Sequence, residues 1–144
     1  MMRSLLTTMA MLWALSVTNG AFATNTFAVV NAPPGSSVDQ ASLEALLTGQ
    51  RRNWDDGDAA KVVLPSRESL HFDFVAQKLL GTSGRVMQRL WFRLVFSGRA
   101  NAPDYVNSPR DVIEAVERQD GALGILVSDV APSVREGLAV VELK

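Results

Sequence analysis

The chain lacks the residues that most enzyme sites need. Its 144 residues include no cysteine and one histidine, which excludes a disulfide, a thiolate nucleophile and a thiolate metal site. The single histidine, His71, has Asp73 two residues further along the same predicted helix, where two side chains do not face each other. No cluster of acids and histidine suits a metal, and no glycine-rich motif suits a nucleotide phosphate. This inventory favours a binding protein, without a cofactor or a metal, over an enzyme.

The chain also lacks an excess of positive charge. It has 14 Lys and Arg against 15 Asp and Glu, a formal net charge of −1 at pH 7. Proteins that bind nucleic acid or anionic membranes in a general way carry a marked basic excess. We therefore expect no nucleic-acid partner.

The longest apolar run is too short for a helix that spans a membrane. It covers residues 5–17, whereas a spanning helix needs roughly 20 apolar residues. Arg3 precedes the run, and Ala21-Phe22-Ala23 follows it with the small-x-small pattern of a cleavage site. No cysteine follows the run, so lipoprotein attachment is not expected. We predict a cleaved signal peptide at 1–23, with an uncleaved anchor as the alternative, and a periplasmic mature domain at 24–144.

The stretch from Lys61 to Gly81 predicts a strand, a polar turn and a helix. The strand ends at Pro65, and the turn carries Ser66, Arg67 and Ser69 before the helix begins. Free N–H groups and the positive end of the helix dipole favour an anion at such a turn, and an arginine can add a two-pronged donor. Ser66, Arg67 and Ser69 are therefore candidate anion ligands. The alternative is that Ser66 or Ser69 only caps the helix and Arg67 lies in solvent.

The hydrophobic pattern along the mature chain predicts a β-α-β-α-α-α-β-β order. The predicted strands are residues 26–31, 62–64, 122–127 and 138–143, and Asn101–Asn107 is predicted as a loop. Asp39, Ser69, Ser83 and Ser108 stand at predicted helix starts. This order predicts an α/β fold, a single three-layer domain with a mixed sheet.

Two charged clusters leave alternatives open. On the predicted third helix, Arg85, Arg89 and Arg93 are spaced four residues apart. Like charges at this spacing repel one another unless acidic side chains pair with them. This stripe is either a partner-docking face, a solvated face or one paired with acids elsewhere in the fold. In the preceding excursion, the carboxylates of residues 55, 56 and 58 suggest calcium, but the remaining ligands of an EF-hand loop are absent and a solvated turn is favoured.

Several short motifs together resemble the periplasmic phosphate-binding proteins, the substrate-binding subunits of ABC phosphate transporters. The motifs, in the order found in that family, are Asn31–Gly35, Leu46–Gly49 followed by Trp54, Arg67–Ser69 with Phe72 and Phe74, Trp91 with Phe96 and Gly98, and Gly121–Ile125. The similarity covers residues 27–143 and corresponds to the second lobe of those two-lobed proteins. The first lobe has no counterpart.

The resemblance implies a fold like one lobe of a type II periplasmic binding protein, and a module that binds phosphate or a similar small oxyanion. Arg67 matches the phosphate-binding arginine, and Ser69 begins the family's Ser-Gly-Thr turn, which here is Ser69-Leu70-His71. The implied partners are an ABC permease or a membrane sensor, and a homodimer could supply the missing lid. The alternative is a ligand-free periplasmic interaction module that docks on a sensor or transport protein.

Overall fold

The computed structural model describes residues 25–144. The predicted signal peptide lies outside these residues. Along the chain the elements are β1 (Asn25–Val30), α1 (Gln40–Leu47), β2 (Lys61–Pro65), α2 (Leu70–Leu80), α3 (Gly84–Phe96), β3 (Asp104–Val106), α4 (Pro109–Arg118), β4 (Ala122–Ser128) and β5 (Ala139–Leu143). Among them there is no helix with the length and hydropathy needed to cross a bilayer.

Local sequence sets the helix starts. The side chains of Asp39, Ser69, Ser83 and Ser108 each accept a hydrogen bond from the backbone N–H three residues further on. This satisfies one of the N–H groups that a helix start leaves without a partner. At the other end of α2, Gly81 adopts the left-handed conformation with φ 63°, which glycine reaches without strain. The predicted caps at Asp39, Ser83 and Ser108 are confirmed, and of the two serines considered for α2 the cap is Ser69.

The five strands form one mixed sheet in the order β3-β2-β4-β1-β5. β2 is parallel to β3 and to β4, whereas β1 is antiparallel to both of its neighbours, β4 and β5. The carboxyl ends of β2, β3 and β4 therefore meet at one edge of the sheet, which we call the carboxyl edge. Their amino ends meet at the opposite edge, the amino edge.

Apolar side chains pack on both faces of the sheet. Alternate residues of each strand point to opposite faces, so Leu123 and Ile125 join a core with α1, α2 and α3, while Leu126 joins a second core with α4. The helix α4 lies close to the sheet because Gly124 has no side chain: a Cβ there would stand 2.5 Å from Val112 Cγ1. The predicted α/β class, three layers and mixed sheet are confirmed.

One element was predicted wrongly. The segment Asn101–Asn107, expected to be a loop, contains β3, which pairs with β2 through Val63↔Asp104, Leu64↔Tyr105 and Pro65↔Val106. Three residues beside Pro103 carry little strand signal of their own, and β3 forms because β2 offers an open edge. Pro65, the last residue of β2, pairs only with β3 because the pairing with β4 ends at Val63, and proline is tolerated where a strand has a neighbour on one side only.

Candidate functional site

The turn between β2 and α2 lies at the carboxyl edge of the sheet, and its backbone is fixed by neighbouring carbonyls. The N–H of Ser66 donates to the carbonyl of Val106 in β3 at 2.7 Å. The N–H of Ser69 donates to the carbonyl of Ser66 at 3.0 Å, which closes the turn. The candidate ligands are thus brought onto a short, braced segment at the start of α2.

The Ser69 hydroxyl is engaged inside the turn. It donates to the carbonyl of Ser66 at 2.8 Å and accepts from the N–H of Phe72 at 3.3 Å. Its one proton is therefore in use, and an anion could take it only by releasing the Ser66 carbonyl. The structure accordingly gives Ser69 a capping role. The Ser66 hydroxyl is half-buried and has no hydrogen-bond partner among residues 25–144.

Arg67 is exposed but does not lie free in solvent. Its guanidinium carbon is 4.9 Å from the ring centroid of Tyr105 and 5.6 Å from that of Phe92. Both distances are in the range of a cation–π contact. No carboxylate lies within 4.0 Å of the Arg67 guanidinium in the described part of the chain. Two aromatic rings thus hold the cation while its N–H donors have no acidic partner.

Of the two rings that contact Arg67, the ring of Tyr105 is held in place by the core. Its ring packs edge-on against the buried ring of Phe72 at 6.2 Å. Burial raises the pKa of Tyr105 above its ordinary value of 10.0, and the nearby Arg67 cation acts in the opposite direction. The phenol therefore stays neutral at physiological pH and serves as an uncharged platform for the guanidinium.

The turn also presents unsatisfied backbone donors. Within residues 25–144, the N–H groups of Arg67, Glu68, Leu70 and His71 have no hydrogen-bond acceptor. Such donors at a helix start, together with the helix dipole, favour a negatively charged group. The chemistry on offer is therefore that of an oxyanion site built from N–H groups and one guanidinium.

This site is open and not enclosed. A crevice between the starts of α2 and α4, lined by His71, Asn107 and Ser108 and not by Arg67, has a volume of about 10 Å³. That volume is about one water molecule, so a tetrahedral oxyanion cannot enter it. The half-buried His71 borders this crevice. An anion at Arg67 would remain largely in contact with solvent.

Three other motif residues, Asn31, Trp54 and Gly121, meet at the opposite edge of the sheet. The carbonyl of Gly121 accepts from Trp54 Nε1 at 2.8 Å, and the N–H of Gly121 donates to the carbonyl of Asn31 at 2.7 Å. The Asn31 side-chain amide donates to the carbonyls of Val116 and Gln119 at the end of α4. We call Asn31, Trp54 and Gly121 the amino-edge node. Its donors are satisfied internally, so the structure gives these residues a role in stability.

Both charged clusters of the sequence lie on the surface. Arg85, Arg89 and Arg93 are exposed on α3. The Asp55 carboxylate accepts from the N–H of Ser37 and from Arg51, which lowers the pKa of Asp55 to about 2. Asp55 thus ties its turn to the loop before α1.

The sequence alone did not reveal the aromatic partners of Arg67. Tyr105 lay in a segment expected to be a loop, and Phe92 stands on the exposed side of α3, away from the buried Met87 and Trp91. The available signal was that Phe92 stands on the outward side of that helix, between Arg89 and Arg93. An aromatic side chain that is not needed for the core is a candidate for a surface contact.

No protein-family model matches the sequence, and no curated protein matches it. Among solved structures the chain is similar to PstS from Borrelia burgdorferi, with 13% sequence identity over 72% of this chain and a TM-score of 0.45. The chain spans 42% of the length of that protein. This is a likeness of chain fold and says nothing about a ligand or a partner.

Proposed function

We propose that this chain is a periplasmic, non-enzymatic module like a solute-binding protein, which binds phosphate or a similar small oxyanion at the β2–α2 turn. Arg67 would be the main ligand, with the turn N–H groups and the Ser66 hydroxyl as further donors. Ser69 would shape the turn through its cap. The module would serve ABC-type transport or sensing, with a permease or a membrane sensor as its protein partner.

The observation that best supports the proposal is that the Arg67 guanidinium stacks on two aromatic rings and has no acidic partner among the described residues. A surface arginine without an acidic neighbour is ordinarily mobile and hydrated, whereas this one is stacked on Tyr105 and Phe92. Stacking restricts the guanidinium plane and so reduces the entropy that an anion must remove on binding. The free N–H groups at the start of α2 lie in the same turn. Together they form a partly preorganised set of donors.

The open geometry also sets an expectation for affinity. Water competes for every donor at an exposed site, so charge-assisted hydrogen bonds there contribute less than in a closed cleft. We therefore expect weak binding by one copy of the chain, and tighter binding where a second copy or a partner covers the turn.

The test is calorimetric titration with phosphate, and with sulfate for comparison, on protein expressed with its full 144-residue sequence and purified as it accumulates. Its mass would show whether it begins at Thr24. Arg67→Ala should weaken phosphate binding about tenfold or more, because a hydrogen bond to a charged group contributes about 1.5–3 kcal/mol. Arg67→Lys should restore the positive charge but not the planar, two-pronged guanidinium that stacks on the rings. It should therefore restore only part of the affinity for phosphate.

Lys78→Ala is the matched control, since it removes an exposed cation on α2 away from the turn. Saturable heat that persists in Arg67→Ala, or that is equally lost in Lys78→Ala, would contradict the assignment. The absence of binding heat at millimolar phosphate would contradict the proposal of an oxyanion site. It would favour a ligand-free interaction module instead.

A further inference from the structure

The outward side of α3 carries apolar and basic side chains and no acidic ones. At 100° per residue, its exposed positions fall within an arc of roughly 120°. We call this arc the α3 outer face, and its residues are Arg85, Val86, Arg89, Phe92, Arg93 and Phe96. The opposite side of the helix is buried through Met87 and Trp91. The fold therefore uses one side of α3 for its core and leaves the other side unpartnered.

The aromatic part of this face is ordered by stacking. Phe92 and Phe96 are 45% and 84% exposed, and their rings stack with centroids 6.1 Å apart. The ring of Phe92 also receives the Arg67 guanidinium, which in turn lies on Tyr105. Four side chains, Tyr105, Arg67, Phe92 and Phe96, thus form a continuous stack on the surface. Rigid aromatic and arginine side chains of this kind dominate the binding energy of protein interfaces.

The basic part of the face is uncompensated. In the described part of the chain, Arg85, Arg89 and Arg93 have no carboxylate within 4.0 Å. Arginines at i+4 spacing repel one another by a few tenths of a kcal/mol. By contrast, Arg110 and Arg118 of α4 both pair with Glu114. The α3 outer face keeps a local positive charge on a chain whose net charge is −1.

We propose that the α3 outer face docks an acidic segment of a partner protein, one that carries aliphatic or aromatic side chains between its Glu and Asp residues. Phe92 and Phe96 receive the apolar side chains, and Arg85, Arg89 and Arg93 pair with the carboxylates. Charge complementarity selects this occupant. A second copy joined through the same face would bring two sets of arginines together, and a chain with a net charge of −1 lacks the basic excess that favours an anionic membrane.

The experiment measures the fluorescence anisotropy of a labelled helical peptide made of Glu and Leu, each repeated at the spacing of a helical turn. The peptide is titrated with the protein expressed from its full 144-residue sequence. The same peptide with Gln in place of Glu is the probe control. Binding is expected for the Glu peptide, with an affinity that falls as salt rises. Arg89→Glu and Phe96→Ala should each weaken it about tenfold. Arg89 is not part of the stack that holds Arg67, so phosphate titration of Arg89→Glu is an independent test of the proposed oxyanion site.

Lys78→Glu and Phe74→Ala are matched controls. Both residues are exposed on α2 and border a different hollow, beside β1 and β5. They should leave the peptide affinity within about twofold, with all variants checked for an unchanged circular dichroism spectrum.

Three results would overturn the proposal. One is the absence of saturable binding, or equal binding of the Gln peptide. The second is a loss in Lys78→Glu as large as that in Arg89→Glu, which would indicate a general charge effect. The third is preferential binding to phosphatidylglycerol vesicles, or a dimer that Phe96→Ala disrupts, because either would assign the face to another occupant.

Discussion

The two edges of the sheet use polar groups in opposite ways. At the amino edge, Asn31, Trp54 and Gly121 exchange hydrogen bonds of 2.7–3.0 Å with one another and with the end of α4. At the carboxyl edge, the turn around Arg67 leaves backbone N–H groups without acceptors and holds a guanidinium on two rings. The first arrangement is closed and the second is open.

This difference separates stability from interaction. A polar group that is buried and satisfied stabilises the fold because breaking its bond leaves the partner unpaired. A donor that is exposed and unpaired contributes little to folding and remains available to a ligand. The residues of the amino-edge node, which were among the motifs of the sequence resemblance, are therefore placed to stabilise the fold and not to bind a ligand. The following substitutions test the division.

The largest effect is expected for Trp54→Ala compared with Phe96→Ala. Trp54 is 3% exposed and Phe96 is 84% exposed. Removing a buried aromatic ring costs about 3–5 kcal/mol, whereas the exposed ring should cost under about 0.5 kcal/mol of folding stability. Urea denaturation would measure both. A Phe96→Ala loss comparable with that of Trp54→Ala would show that the outer face of α3 belongs to the core.

Asn31→Ala should destabilise the fold by about 1–2 kcal/mol. The substitution removes the two hydrogen bonds from the Asn31 amide to the carbonyls of Val116 and Gln119, and each such bond contributes about 0.5–1.5 kcal/mol. Both carbonyls keep a backbone N–H donor, so no larger penalty is expected. Asn101→Ala, at an exposed position, is the control for loss of an asparagine. Equal unfolding midpoints for the two variants would contradict the role given to the amino-edge node.

Arg67→Met should move the titration of Tyr105 with little change in stability. Burial already raises the pKa of Tyr105, and the Arg67 cation opposes that rise. Removing the charge while keeping an apolar stem should therefore raise the Tyr105 pKa further. The chain has one tyrosine, so tyrosinate absorbance reports this group alone. An unchanged pKa, or an equal change in Arg89→Met, would place Arg67 away from Tyr105.

The smallest effect is expected at Asp55, which is exposed. The Ser37 N–H and Arg51 lower its folded-state pKa from 3.8 to about 2. A group with a depressed folded pKa contributes stability above its ordinary pKa and loses that contribution as the pH falls. The window here runs from about pH 4 down to about pH 2. Melting temperatures of Asp55→Asn should fall less than those of the unchanged chain across this window, with Glu136→Gln as an unaffected control.

The sequence predicted much of the fold because its signals are local. Each cap, such as Ser69 with the N–H of Phe72, joins residues three apart, and the buried strands are recognisable as short apolar runs. The exception was β3, whose three residues form a strand only through pairing with β2. A segment stabilised mainly by its neighbour carries a weak signal of its own.

The sequence by itself determined the α/β class, the helix starts and the candidate turn, because each depends on residues close together in the chain. Only the tertiary structure decided which side chains contact Arg67 in that turn. The contacts of Arg67 with Phe92 and Tyr105 cross from the turn to α3 and β3. Contacts between such distant positions depend on how the elements pack, and no local pattern records them.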